Sequence, residues 1–262
     1  MRLDFYLVEN GFIKSRERAK EHIKKGDILV NGRTICKPSY DVSDNDNIEF
    51  TGEKLKYVGR GGLKLEKAIE YFDIDLNEKI CMDIGASTGG FTDCMLQNGA
   101  SLVYSVDVGH DQLDASLIAD KRVINMERTN INDVKKETVI PEPQFISVDV
   151  SFVSLKNIFP KMSEFVTDNT EVVALIKPQF EAGRANIGKN GIVKDKKVHI
   201  NVLNEIIAFS DSLELEVINL TYSPVSGGDG NIEYLAFIRR KKGEGIGINV
   251  KMVVDEGFDA LK

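Results

Sequence analysis

The sequence predicts an α/β protein in two parts: a small N-terminal α+β unit, then a mainly parallel, doubly wound sheet ending in an antiparallel C-terminal edge hairpin. Three observations lead there. Beyond residue 80, short apolar runs alternate with helical patterns, which gives parallel strands covered by helices on both faces. Before residue 50, two helical stretches precede a hairpin signal at Asn31-Gly32. The formal charge of −7 over 262 residues is uneven: residues 1–60 carry twelve Lys/Arg against ten Asp/Glu, which leaves −9 for the remainder. With 42% hydrophobic residues the chain can bury a real core. No apolar run reaches the roughly 20 residues that span a bilayer, and no hydrophobic signal segment follows Met1-Arg2-Leu3-Asp4. Cys36, Cys81 and Cys94 are too few and too scattered for a disulfide framework or a zinc site. A soluble cytoplasmic protein is expected.

Residues 2–9 read as a helix with Leu3, Tyr6 and Leu7 on one face, ended by Gly11. A second helix covers 16–25, with Ser15 as N-cap and Gly26 as C-cap. Ile28–Val30, Arg33–Ile35 and residues 47–50 are strands, with loops at Pro38 and Asp44-Asn45-Asp46. Arg16, Lys20 and Lys24 fall at i, i+4 and i+8, a positive stripe on the second helix, while Ala19 and Ile23 face a core. Residues 14–37 hold eight basic side chains against Glu17, Glu21 and Asp27. Such stripes suit nucleic-acid phosphates, although most charge runs are solvated helix faces.

Residues 1–50 resemble an S4 RNA-binding domain through Arg2-Leu3-Asp4, Leu7, Gly11, Ser15-Arg16, Ala19, Ile23, Gly26, Val30-Asn31-Gly32, Lys37-Pro38 and Asp46. The resemblance implies that Arg16, Lys20 and Lys24 contact structured RNA. The domain expected is 1–55, followed by a polar linker at 56–60 that includes Arg60, also assigned to RNA.

The second domain is expected over 61–242. A helix at 63–72 buries Leu65, Ala68, Ile69 and Phe72. Strands follow at 80–84, 102–106, 122–125, 144–150, 171–176, 215–220 and 233–239. Helices are expected at 91–97, 112–118, 155–166 and 198–212. Residues 178–194 form a long, Gly-rich basic loop, read either as a cover over the site or as a plain surface loop. Arg239–Lys242 is a basic run, and the tail 243–262 carries no assigned role.

The turn after the first of these strands is Asp83-Ile84-Gly85-Ala86-Ser87-Thr88-Gly89-Gly90-Phe91. Its glycines do not fit G-x-G-x-x-G, and a carboxylate two positions before Gly85 suits a cationic, amino-acid-bearing cofactor better than a pyrophosphate. Asp107 ends the next strand, where a carboxylate accepts both hydroxyls of a ribose. Met126–Asn130 follows the third strand, within reach of an adenine edge. Together these features look like an S-adenosyl-L-methionine methyltransferase on a Rossmann-like domain. Asp83, Gly85, Ser87, Gly89, Gly90, Phe91, Asp107 and Asn130 form the expected cofactor site.

Asp149 and Lys177 end the fourth and fifth strands, Glu233 opens the last, and Lys64 lies on the preceding helix. A lysine directly after an apolar strand is unusual, because burial penalises its charge. Opposite charges nearby would compensate. A ribose 2′-hydroxyl needs its proton removed or its oxygen held in line with a methyl donor, and a lysine does either as base or as cation.

The whole chain is similar to the TlyA family, bacterial S4-containing rRNA methyltransferases related to FtsJ-like 2′-O-methyltransferases. The carrying segments are residues 59–68, 83–96, 106–114, 127–130, 148–155, 175–183 and 230–235. The resemblance implies a Lys-Asp-Lys-Glu catalytic set at Lys64, Asp149, Lys177 and Glu233. It also implies ribosomal RNA or ribosomal subunits as partner and cytidine 2′-hydroxyls as the methylated group. No metal or membrane is expected; His22, His110 and His199 form no metal cluster. Three other readings compete: a nucleotide-dependent oxidoreductase on the same fold, disfavoured by the glycine spacing; a non-catalytic RNA-binding protein, disfavoured by the intact tetrad; and a lytic protein, as the family's hemolysin-type naming suggests, disfavoured by the lack of a spanning segment.

Overall fold

A computed structural model describes residues 1–13, 16–43, 45–52, 56–243 and 247–261. The Ser15 cap and Asp44 lie outside the described residues. The chain divides into two compact units, Met1–Leu55 and Lys56–Lys262.

In the first unit, α1 (Leu3–Glu9) and α2 (Arg16–Lys25) pack on a small antiparallel sheet of β1 (Ile28–Val30), β2 (Arg33–Thr34) and β3 (Ile48–Phe50), with β1 central. Leu3, Leu7, Ala19, Ile23 and Ile28 are fully buried, so the helical spacing does place one face of each helix in a core. Asp4 is also fully buried. Its carboxylate is held below the usual range by a hydrogen bond from Arg2, reinforced by one from Arg16.

The second unit begins with α3 (Gly61–Phe72). Strands β4 (Ile80–Ile84), β5 (Leu102–Val106), β6 (Val123–Met126), β7 (Phe145–Val148) and β8 (Glu171–Ile176) are parallel to one another. Strands β9 (Leu215–Tyr222) and β10 (Tyr234–Arg240) close one edge in the order β6-β5-β4-β7-β8-β10-β9, with β10 antiparallel to both neighbours. The helices between them are α4 (Gly90–Gln97), α5 (Ala115–Ile118), α6 (Phe159–Ser163), α7 (Pro178–Glu181) and α8 (Lys196–Ser212), and α9 (Val250–Ala260) follows the last strand. Leu65 of α3, Cys94 and Met95 of α4 and Leu117 of α5 line one core layer. Phe159 of α6, Leu203 and Ile206 of α8 and Val254 of α9 line the other. Strands β4, β5, β7 and β8 are buried on both faces, as their continuous apolar runs require, while the edge strand β6 is not.

Several expectations change. Residues 56–60 are not a free linker: Tyr57 is 3% exposed within the α3–α4 layer, and the Val58 N–H donates to the Asp93 carboxylate at 2.7 Å. The helix expected at 155–166 is a single 3-10 turn (Leu155–Asn157) and then α6, because Pro160 lacks an N–H and starts a new helix instead of continuing one. The helix expected at 112–118 begins only after Asp114, whose side chain caps the Ser116 N–H. The tail contains α9, capped by Asn249, with Val250, Val253, Val254 and Gly257 on its buried face.

Candidate active site

The C-terminal ends of β4, β5 and β7 enclose a cavity of about 540 Å³. Gly85, Ser87, Asp107, Asn130 and Asp149 line it, as do Gln112, Val150, Ser151 and Phe152. The chain enters it through a turn that glycine alone relieves. Gly85 has φ +89°, and a Cβ there would stand 2.4 Å from the Asp149 carbonyl oxygen.

Asp107 is prepared as an acceptor. Ser87 N–H donates to its Oδ2 at 2.8 Å and Gly109 N–H to its Oδ1 at 2.7 Å. A carboxylate offers about four lone-pair sites, so each oxygen keeps one. The loop that carries Gly109 is itself pinned, since Glu127 accepts the N–H groups of Gln112 and Leu113. These bonds hold the Glu127 carboxyl below its ordinary range. In the sequence Glu127 stands out only as part of the segment 127–130, because the clamp joins groups 14 and 15 residues apart.

Four of the expected cofactor residues lie behind the cavity wall rather than in it. Asp83 is fully buried, accepting from Thr92 Oγ1 at 2.7 Å and Ser147 Oγ at 2.8 Å. It fastens α4 and β7 to β4 beneath the turn. Gly89, at φ +91°, gives way to Leu117, whose Cδ1 would be 2.1 Å from an added Cβ. Gly90 brings α4 against Gly59 and Gly62, and Phe91 is 3% exposed in the core.

Burial pushes the Asp83 carboxyl up to about 6, against hydrogen bonds from Thr92 and Ser147 that lower it. The folded chain therefore keeps a proton that the unfolded chain releases between the ordinary value of 3.8 and about 6. Its stabilising contribution is complete below that window, declines as pH rises through it, and levels off above about 6. Asp83→Asn should flatten the stability–pH curve across this window relative to wild type, by on the order of 3 kcal/mol in total. Chemical denaturation at pH 4 to 7 checks it; parallel curves for the two proteins would refute it.

The tetrad comes together beside the cavity, as two ion pairs. Lys64 Nζ lies 2.6 Å from Glu233 Oε2, both groups nearly buried and 169 residues apart in sequence. Lys177 Nζ lies 2.6 Å from Asp149 Oδ1 and donates to Ser151 Oγ at 2.8 Å. The Lys177–Asp149 contact is a close ion pair rather than an aligned hydrogen bond: Asp149 Oδ1 is buried with no hydrogen-bond partner among the described residues. Gln179, two residues after Lys177, adds to the Lys64–Glu233 pair, its Nε2 donating to Glu233 Oε1 at 3.3 Å. Asp149 belongs to both the tetrad and the cavity wall. Lys67, on the same helix as Lys64, is set apart: its Nζ sits 3.3 Å from the Tyr222 ring centroid, and burial lowers its pKa.

Ser151, Gln179 and Phe152 were not singled out as site residues by the sequence. Phe152 has φ +64° and is 91% exposed at the cavity mouth, its ring 5.2 Å from that of Phe180. A strained backbone holding a large apolar ring in solvent is a signal only a structure reveals. Arg60 is exposed at the start of α3. In the first unit Arg16 is tied at 3.1 Å to Asp4 and lies over the Phe5 ring, while Lys24 is exposed and Lys20 half-buried. Among the described residues no group of three or more His, Cys, Asp or Glu side chains is placed to hold a metal ion. No helix among them is long and apolar enough to cross a membrane.

A seven-stranded sheet in this order, with a strand-end cavity and an adjoining Lys-Asp-Lys-Glu cluster, defines a methyltransferase of the Rossmann-like class. The chain belongs to the FtsJ-like methyltransferase family, whose model matches residues 57–240, and it carries an S4 domain matched over residues 1–48. It is 46% identical over 89% of its length to YqxC of Bacillus subtilis, provisionally designated an rRNA methyltransferase, covering 84% of that protein. It is 35% identical to the 16S/23S rRNA (cytidine-2′-O)-methyltransferase TlyA of Mycobacterium tuberculosis, over 91% of this chain and 89% of that one. A solved structure from Streptococcus thermophilus with a hemolysin designation is 43% identical and superposes with TM-score 0.81, covering 99% of this chain and 96% of that chain.

Proposed function

We propose that this protein transfers a methyl group from S-adenosyl-L-methionine to the 2′-hydroxyl of cytidine ribose in ribosomal RNA. The observation that carries the reading is the double position of Asp149, at once cavity wall and partner of Lys177. It sets the cavity read as the methyl-donor pocket directly beside the buried Lys177.

The residues present fit the cofactor. Asp107 keeps two acceptor sites for a ribose diol, Asn130 stands where an adenine edge would lie, and Gly85–Ser87 offer backbone to the amino-acid end. Asp149 Oδ1, ion-paired with Lys177 but accepting no aligned hydrogen bond, favours a hydroxyl donor beside it. When bound, S-adenosyl-L-methionine supplies an electrophilic methyl group on sulfonium sulfur. The chain does the rest. Lys177 spends one N–H on Ser151, keeps another toward Asp149, and presents the third to the hydroxyl oxygen, whose developing negative charge it stabilises. The proton leaving that oxygen passes to the Asp149 carboxylate, while Lys177 remains an ammonium. Glu233 fixes Lys64 as a second positive charge on the same site. Phe152 offers its exposed ring to a nucleobase turned out of its stack. Such a substrate places the work of the protein in the cytoplasm.

Nucleoside mass spectrometry of ribosomal subunits incubated with the protein and S-adenosyl-L-methionine tests this reading: 2′-O-methylcytidine should accumulate, and a base-methylated product would count against it. Asp107→Ala should weaken S-adenosyl-L-methionine binding by about 10- to 100-fold, since hydrogen bonds to a charged acceptor contribute roughly 1.5–3 kcal/mol. Titration calorimetry reads this, and unchanged affinity would remove Asp107 from the site. The first unit supplies the RNA affinity in this account. Replacing Lys20 and Lys24 with Ala should weaken RNA binding and lower its salt-dependence slope by about one per lysine. Cofactor affinity should stay at the wild-type value; a matching loss of both affinities would contradict this division of labour.

A further inference from the structure

The segment Asn231–Tyr234 holds more than the tetrad's glutamate. Asn231 is fully buried, and its side chain makes two hydrogen bonds to a distant loop: Oδ1 accepts from Val193 N–H at 2.9 Å, and Nδ2 donates to the Gly191 carbonyl at 2.9 Å. The Val193 carbonyl is engaged from the other side by His199 Nε2 at 2.9 Å. A carbonyl only accepts, so Nε2 carries the proton, and neutral His199 uses Nδ1 to accept from the Tyr234 hydroxyl at 2.8 Å. Burial lowers the His199 pKa, which keeps the ring neutral. Phe258 of α9 packs edge-on against it, ring centroids 5.0 Å apart. Val193 is thus clamped at both its backbone polar groups, its N–H by Asn231 two residues before Glu233 and its carbonyl by His199, which is bonded to Tyr234 on the strand that begins just after Glu233.

The backbone of Asn231 completes the arrangement. Its carbonyl accepts from Gly227 N–H at 2.9 Å, and Gly227 lies so close to Glu233 that an added Cβ would meet Oε1 at 2.5 Å. The loop that leaves Lys177 is therefore fastened near Glu233 at both ends, by Gln179 at its start and by Val193 at its finish.

We propose that Asn231 and His199 form a latch that positions the Glu233 carboxylate and the loop 183–193 for methyl transfer. Asn231 is a positioning residue, acting through Glu233 and through the loop rather than on substrate. The proposal rests on the methyltransferase reading and extends it to residues outside the tetrad.

The test uses the full-length protein carrying Asn231→Ala, or His199→Phe, which keeps a ring and removes both hydrogen bonds. Single-turnover methyl transfer on ribosomal RNA should fall about 10- to 100-fold, as small misplacements of catalytic groups do, with S-adenosyl-L-methionine affinity within about twofold of wild type. Asn231→Ala should cost clearly less in a Glu233→Gln background than in the wild-type protein, because part of its effect runs through Glu233. A wild-type rate in both single variants, or fully multiplicative losses in the double variant, would overturn the latch. Hydrogen exchange tests the latch independently of activity. In Asn231→Ala the Gly227 amide, whose backbone acceptor survives the substitution, should exchange faster. Wild-type protection at Gly227 would also overturn the latch. Should the wild-type protein methylate no ribosomal RNA, the functional reading fails and the exchange result alone judges the latch.

Discussion

Lys177→Ala is expected to slow single-turnover 2′-O-methyl transfer by about a thousandfold, within the range for losing a positioned proton-transfer or charge-stabilising group. The lysine follows an apolar strand at 8% exposure, held by Asp149 at 2.6 Å and Ser151 at 2.8 Å. That leaves one ammonium N–H aimed by two fixed partners, an arrangement prepared before substrate arrives. Its removal should scarcely change cofactor affinity, because Lys177 does not line the cavity. Stability should fall as well, since the Asp149 Oδ1 left behind is buried, although the loss is limited by a side chain that is 19% exposed as a whole. Rapid-quench measurement with saturating cofactor separates these effects. A rate within a few-fold of wild type would remove Lys177 from the chemistry.

Glu233→Ala is expected to act on stability first. Its partner Lys64 has a side chain only 11% exposed, and removing the 3%-exposed carboxylate strands a positive charge in the α3 layer. Breaking such a pair costs about 3–5 kcal/mol, enough to lower Tm by roughly 10 °C in a domain of this size. Lys64→Met combined with Glu233→Leu should recover most of that stability, because well-packed apolar residues often replace a buried pair without loss. Activity should stay low in the double variant. Calorimetry and methyl transfer on the three proteins check both halves. A stable Glu233→Ala protein, or an active apolar replacement, would show that the pair is not what the site depends on.

The inner parallel strands were legible because both their faces are buried, so Ile80–Ile84, Leu102–Val106 and Glu171–Ile176 read as apolar runs. The helix at 155–166 was misread because the apolar spacing continued through Pro160, whose missing N–H overrides it. Helix α9 was legible in principle: Val250, Val253, Val254 and Gly257 follow the i, i+3, i+4, i+7 spacing behind an Asn cap. The tetrad's members were found by type and strand position, but their pairing was not. Nothing in local spacing joins Lys64 to a glutamate 169 residues away, or brings Gln179 to the same carboxylate. Asp83 shows the same limit from the other side. A strand-end carboxylate before a glycine turn reads as a ligand contact, and only the hydroxyls of Thr92 and Ser147 folding over it reveal that it faces inward.

The most direct test maps 2′-O-methylation across ribosomal RNA from cells carrying either the wild-type gene or Lys177→Ala at equal protein levels. Ribose methylation at discrete cytidines is expected in the first population and its loss in the second. Identical maps, or a difference confined to base methylation, would contradict this expectation.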